Sequence, residues 1–251
     1  KQAEPLYKEN LEISKKLYGL NHSYTVVALN DIGSFYHYLG DFQKAEFFLK
    51  KALEISRKIN GLDHKDTIST MQNLGSLFDD LGQYQRAKPL LEEALKLNEK
   101  INGFYSLNTG INYKNLSLLY VNLGQFEEAE FHINETFKIY KKLYGLEHLK
   151  TARVLNDIAY VYMNNNKNEI ALEKIKESLR INKKLLGMRH SKVATSLSNL
   201  ALIYRNLNQY QEIEPLLKKV LEIDKKIYGI TNSNTSTSLH NLGSYYSDLG
   251  Q

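Results

Sequence analysis

The chain has 251 residues, 33 Lys and Arg against 28 Asp and Glu, a net charge of +5, and no cysteine. The missing cysteine excludes disulfide scaffolding, thiolate metal sites and cysteine nucleophiles, and it fits a reducing, cytoplasmic location. The modest charge falls short of a nucleic-acid footprint, and no stretch approaches the ~18 consecutive apolar residues of a membrane helix.

The sequence repeats with a period of 42 residues. Thr25, Thr67, Thr109, Thr151 and Thr235 fall at multiples of that spacing, with Val193 filling the one gap. Gly19, Gly61, Gly103, Gly145, Gly187 and Gly229 form one comb, and Gly40, Gly82, Gly124 and Gly250 a second. Gly33, Gly75 and Gly243 form a third, and Pro5, Pro89 and Pro215 keep the same period. Residues with special backbone needs recur only where the same backbone recurs, so one supersecondary unit is stacked along a single array. Residues 1–24 are the second half of a repeat. Residues 25–66, 67–108, 109–150, 151–192 and 193–234 are five complete ones, and 235–251 is the first half of another. Each end leaves an apolar helix face without its partner, where solenoids carry caps. The sequence therefore reads as a fragment of a longer protein, or as a chain whose ends are cut away.

Within a repeat, Leu29, Ile32, Gly33 and Tyr36 follow the i, i+3, i+4, i+7 spacing of one helix face. Met71, Leu74, Gly75 and Phe78 repeat it, as do Tyr113, Leu116, Ser117 and Tyr120. This helix A closes at Leu39-Gly40, where glycine supplies the left-handed conformation. Helix B follows with Phe42, Ala45, Leu49, Ala52, Leu53 and Ile55, and runs to Gly61. Ala45, Ala87, Ala129 and Ala171 share one site of close helix approach, and Ile213 is expected to push its pair apart there. The recurring Thr is expected to be an N-cap or a first-turn residue. His22, His64, His148 and His190 recur in the loop before it, with no Cys or carboxylate set to complete a metal shell, so they are expected to pack the loop.

These residues resemble the tetratricopeptide repeat. Its pattern carries a small residue eight along, an aromatic at eleven, glycine at fifteen, an aromatic at seventeen and alanine at twenty. The 42-residue period exceeds the usual ~34 and resembles the kinesin-light-chain type. So do Ala3-Glu4-Pro5-Leu6-Tyr7, Leu29-Asn30-Asp31-Ile32-Gly33 and Gly61-Leu62-Asp63-His64. The resemblance implies an all-α, right-handed α-solenoid, a superhelix of antiparallel helix pairs, with the A helices lining a concave groove.

In that groove the sixth position after each Thr reads Asp31, Asn73, Asn115, Asp157, Asn199 and Asn241. An Asn amide offers donors and acceptors, so Asn73, Asn115, Asn199 and Asn241 can pair with the backbone of an extended peptide. The alternative is that each amide bonds a neighbouring helix. An apolar floor of Ile111, Leu118, Val121, Tyr160, Met163 and Leu202, interrupted by Lys114, Arg153 and Arg205, suits hydrophobic anchors beside an acidic residue. The carboxylate clamp of some tetratricopeptide domains begins at Lys114, but Leu118, Asp157 and Thr195 break it, which disfavours chaperone tails.

The expected function is therefore a scaffold that binds a peptide segment or a partner protein. The alternatives are a regulatory or sensor array of a larger enzyme or signalling protein, and a spacer that self-associates end to end. A basic ridge follows the B helices at Lys15-Lys16, Arg57-Lys58, Lys100, Lys141-Lys142, Lys183-Lys184 and Lys225-Lys226. The helix dipole accounts for it, and no aromatics interleave as nucleic-acid stacking requires. Neither nucleic acid nor membrane is an expected partner, and binding of RNA or anionic lipid along this ridge is the minor alternative. No phosphate loop, nucleophile elbow or zinc-protease motif is present, so no enzyme activity, cofactor or metal is expected.

One turn departs from the pattern. Asn164-Asn165-Asn166-Lys167-Asn168 lacks the leucine, glycine and aromatic of its counterparts. Asn tolerates the left-handed conformation, so the turn can still form. With its aromatic packing lost, hydrogen exchange is expected to be fastest here among the internal turns; uniform protection along the array would contradict this.

Overall fold

The computed structural model describes residues 2–250, so the assigned segments 1–24 and 235–251 each lose one residue, Lys1 and Gln251, from the description. Among the described residues it contains helices and no strand. It divides into two compact units, residues 1–125 and 126–251. The first holds α1 (Ala3–Tyr18), α2 (Ser23–Tyr38), α3 (Phe42–Asn60), α4 (Lys65–Asp80), α5 (Tyr84–Asn102) and α6 (Leu107–Asn122). The second holds α7 (Phe126–Tyr144), α8 (Leu149–Asn164), α9 (Asn168–Leu186), α10 (Ser191–Asn206), α11 (Ile213–Tyr228) and α12 (Ser233–Asp248), with a 3₁₀ turn at Tyr210–Glu212. No helix among the described residues is long and apolar enough to cross a membrane.

In each unit every helix packs on the next, as short connections between antiparallel neighbours require. In the first unit α2 also approaches α4, and α4 approaches α6, while α3 and α5 stay apart. In the second, α8 approaches α10, while α7 and α9 stay apart. Each stack is thus tighter on the side of its even-numbered helices.

Sequence sets the approach within a pair. Gly33 and Gly75 lie against the next helix so closely that a Cβ there would stand 2.7 Å from side-chain atoms of Leu49 and Leu91. Ala45, Ala87, Ala129 and Ala171 are fully buried at the matching approach from the other side. Ile213, in their column, is also buried. What distinguishes its helix is the first turn, wound as 3₁₀ before α-geometry begins at Ile213. A 3₁₀ turn rises about 2.0 Å per residue, which moves the helix start where the larger side chain is seated.

The link from each odd helix to the next even one explains the Thr and Gly combs. Gly61 has φ 78° and ψ −177°, a region essentially reserved for glycine, and this turns its carbonyl toward the following helix. Thr67 Oγ1 donates to that carbonyl at 2.8 Å. The same bond joins Thr25 to Gly19, Thr109 to Gly103, Thr151 to Gly145 and Thr235 to Gly229, at 2.7–2.9 Å. Each of these Thr side chains is buried. Thr is therefore a first-turn residue and not the N-cap. The cap is the residue three earlier: His22, His64, His148 and His190 each accept the N–H two residues on through Nδ1, at 3.1–3.2 Å. Ser106 and Asn232 cap the remaining two. An imidazole nitrogen replaces the usual side-chain oxygen, and the rings of His22 and His148 stack on Tyr18 and Tyr144.

The turns within pairs close on Gly40, Gly82 and Gly124 at φ 69–76°, and Asn166 and Asn208 take the same left-handed place at 56° and 57°. The Asn-rich turn is also tied to α7. Asn165 Nδ2 and Lys167 Nζ both reach Glu130 Oε1 at 2.6 Å. Polar bonds stand where the other turns carry an aromatic residue, Phe42, Tyr84, Phe126 or Tyr210.

Val193 is the junction residue that cannot make the hydroxyl bond. Val193→Thr is expected to raise the unfolding free energy by about 1 kcal/mol, and Thr151→Val to lower it by about the same amount. Urea unfolding of both variants measures this; no gain from Val193→Thr would remove the bond as the reason for the comb.

Candidate peptide-binding groove

The ten residues singled out from the sequence all lie on even-numbered helices. Asn73 is on α4, and Lys114, Asn115 and Leu118 are on α6, in the first unit. Arg153 and Tyr160 are on α8, Asn199, Leu202 and Arg205 on α10, and Asn241 on α12, in the second.

Most of the amide ladder bonds neighbouring helices. Asn73 Nδ2 donates to Asn30 Oδ1 and Ser34 Oγ on α2, both at 3.1 Å. An amide nitrogen has two hydrogens, so both are engaged, and its oxygen is what remains for a ligand. Asn115 Nδ2 reaches Ser76 Oγ at 3.4 Å, and Asn199 Nδ2 reaches Asn156 Oδ1 at 3.3 Å. Further polar pairs join the same faces. Asn122 donates to Asp79 at 2.9 Å, and His37 meets Asp80 at 2.7 Å. Burial raises the Asp79 carboxyl above its ordinary range; the Asn122 bond opposes this, and the adjacent Asp80 charge adds to it. Such bonds hold adjacent even helices in register.

Asn241 is the exception. α12 does not approach α10 as α10 approaches α8. Among the described residues, the Asn241 amide makes no hydrogen bond of the kind that holds Asn73, Asn115 and Asn199. Two clefts open between α10 and α12. One, of about 140 Å³, is lined by Leu202, Arg205, Ile213, Leu217 and Asn241. The other, of about 370 Å³, is bordered by Asn199, Leu202 and Asn241 and floored by Val220 and Asp224 of α11. The structure thus places Leu202 and Asn241 on both clefts, with Arg205 on the smaller and Asn199 on the larger.

The remaining candidates differ in availability. Tyr160 and Leu202 are exposed at 42% and 46%, large apolar surfaces open to a partner. Val121, read as part of the floor, is buried in the core instead. Arg205 pairs with Asp248 at 2.9 Å, so an acidic ligand would exchange with that carboxylate. Arg153 is exposed, while Lys114 and Leu118 are half-buried.

The basic ridge is interleaved with acids. Lys15 pairs with Glu12, Arg57 with Glu93, Lys100 with Asp63, and Lys184 and Arg180 with Glu147. No cluster of three metal-ligating side chains occurs among the described residues.

Sequence reasoning missed Asp224. It lies in the 42-residue column of Ser14, Ser56, Asn98, Tyr140 and Asn182, where it is the one carboxylate; that singularity was the available signal.

The two kinds of ladder member are separable. Asn73→Ala is expected to lower stability by about 1–2 kcal/mol through two lost bonds, while Asn241→Ala stays within about 0.5 kcal/mol of the parent. Equal losses in urea unfolding would contradict the distinction.

The tetratricopeptide repeat profile matches residues 1–58, 24–100, 108–184, 150–226 and 192–251. No curated protein matches the chain in sequence. Among solved structures, BtubC (BKLC) from P. vanneervenii is similar with a TM-score of 0.75 at 20% identity, covering 92% of each chain. Nearly identical TPR-like repeats of kinesin-light-chain type from Podosopora anserina give a TM-score of 0.70 at 24% identity, covering 81% of this chain and 96% of that one. A Rap protein complexed with Competence and Sporulation Factor gives 0.67 at 14% identity, covering 99% and 70%. At these identities the likeness speaks for the fold. The profile spans nearly the whole sequence, and the chain belongs to the tetratricopeptide repeat family.

Proposed function

We propose that the chain is a non-catalytic interaction module that holds an extended peptide segment or partner protein against its even-numbered helices. Its repeats run over 25–66, 67–108, 109–150, 151–192 and 193–234, with half-repeats at 1–24 and 235–251. The observation that carries this reading is the opening between α10 and α12, where, among the described residues, Asn241 has an unengaged amide beside exposed Leu202. Apolar anchors seated on Leu202, and on Tyr160 along α8, would supply affinity through buried area. The amide would fix the peptide backbone, and Arg205 and Arg153 would favour an acidic residue nearby. In the first unit Leu118, Lys114, Asn115 and the Asn73 oxygen offer the same chemistry. The Rap protein complexed with Competence and Sporulation Factor shares the fold, which is in keeping with a ligand-holding role. A cytoplasmic setting agrees with the cysteine-free composition.

The test is a display selection with a proteome-wide peptide library, run on the parent and on a folded Leu202→Asp/Asn241→Ala variant. Enrichment of a short anchored motif by the parent alone is expected. Equal enrichment by both proteins, or none, would overturn the reading.

A further inference from the structure

The larger cleft between α10 and α12 ends on a carboxylate that no cation answers. Asp224 is 7% exposed, and it lines the cleft together with Asn199, Leu202, Tyr228 and Asn241. Its Oδ2 accepts a hydrogen bond from the Ser238 hydroxyl. The cleft lining contains no lysine, arginine or histidine, and Asp224 enters no ion pair among the described residues.

The column it occupies makes this informative. In α9 the equivalent residue is Asn182, whose amide donates to Ser196 of α10 at 3.2 Å across the equivalent helix–helix interface. Ser196 and Ser238 are likewise equivalent, 42 residues apart. A neutral side chain thus reaches the facing serine at this site, and an aspartate adds a negative charge that this contact does not require. A buried carboxylate stays costly until a cation pairs with it.

We propose that this cleft receives a lysine or arginine side chain of the bound segment, its charged head paired with Asp224. The aliphatic stem lies on Leu202 and Val220, which border the same opening. The carbonyl oxygens of Asn199 and Asn241 accept the remaining N–H groups, and the Tyr228 ring offers a face to the cation. The inference rests on the groove reading above and adds a basic residue to the ligand. That residue sits on the side of the groove away from Arg205, which lines only the smaller cleft.

The experiment uses peptides enriched by the parent chain in the library selection. Their dissociation constants are measured by fluorescence anisotropy against the parent and Asp224→Asn. The Asn variant is close to isosteric and matches the residue at Asn98 and Asn182; Asp224→Ser, matching Ser14 and Ser56, serves if it does not fold. The expected result is a motif with a fixed Lys or Arg and a loss of at least about 10-fold with Asp224→Asn. That loss should vanish when the peptide's basic residue is replaced by Met. A motif with no basic position, or equal binding by parent and variant, overturns this inference and leaves the groove reading intact. Failure of the parent to enrich any motif overturns both.

Discussion

The hydrogen bond from threonine to glycine at five of the six repeat junctions is the constraint from which much else follows. A buried hydroxyl in the first turn of one helix grips the carbonyl that ends the helix before it, at 2.7–2.9 Å in five junctions. That carbonyl points the right way because its glycine takes a backbone conformation that side chains forbid. Two residue types with unrelated chemistry are thereby locked to one spacing. The bond fixes where each even-numbered helix begins relative to the odd one, and so which residues reach the even-helix face.

On the proposed reading that face serves two purposes. A row of amides on neighbouring parallel elements bonds side to side before it bonds anything else, as Asn73 does with Asn30 and Ser34. On the proposed reading, recognition uses the valence that the lateral bonds leave over, an acceptor oxygen at Asn73 and, among the described residues, the amide of Asn241. The second unit departs from this economy where α12 stands off from α10. There the side chains border open clefts, and a buried carboxylate lies at the base of one of them.

The fold was legible because its determinants are local and repeated. Glycine at a positive φ, alanine at close approach and threonine at a fixed offset announce themselves in a single sequence. The candidate site was legible only in part. The ladder of Asn residues is visible as a column, but whether an amide faces a neighbour or a ligand depends on the distance between two helices that are 42 residues apart in sequence. The N-caps were missed for a different reason: histidine is an uncommon cap, and the nearby Thr offered a conventional one. Asp224 escaped because its helix face reads as core. Only the comparison with Asn182 and Ser56 shows that the charge is particular to this repeat.

The most direct test of the account is a crystal structure of the chain with a peptide recovered by selection. The account predicts an extended peptide seated on the even-numbered helices between α10 and α12, its backbone bonded to Asn241. A peptide bound along the lysines of the odd-numbered helices, with the α10–α12 opening untouched, would contradict it.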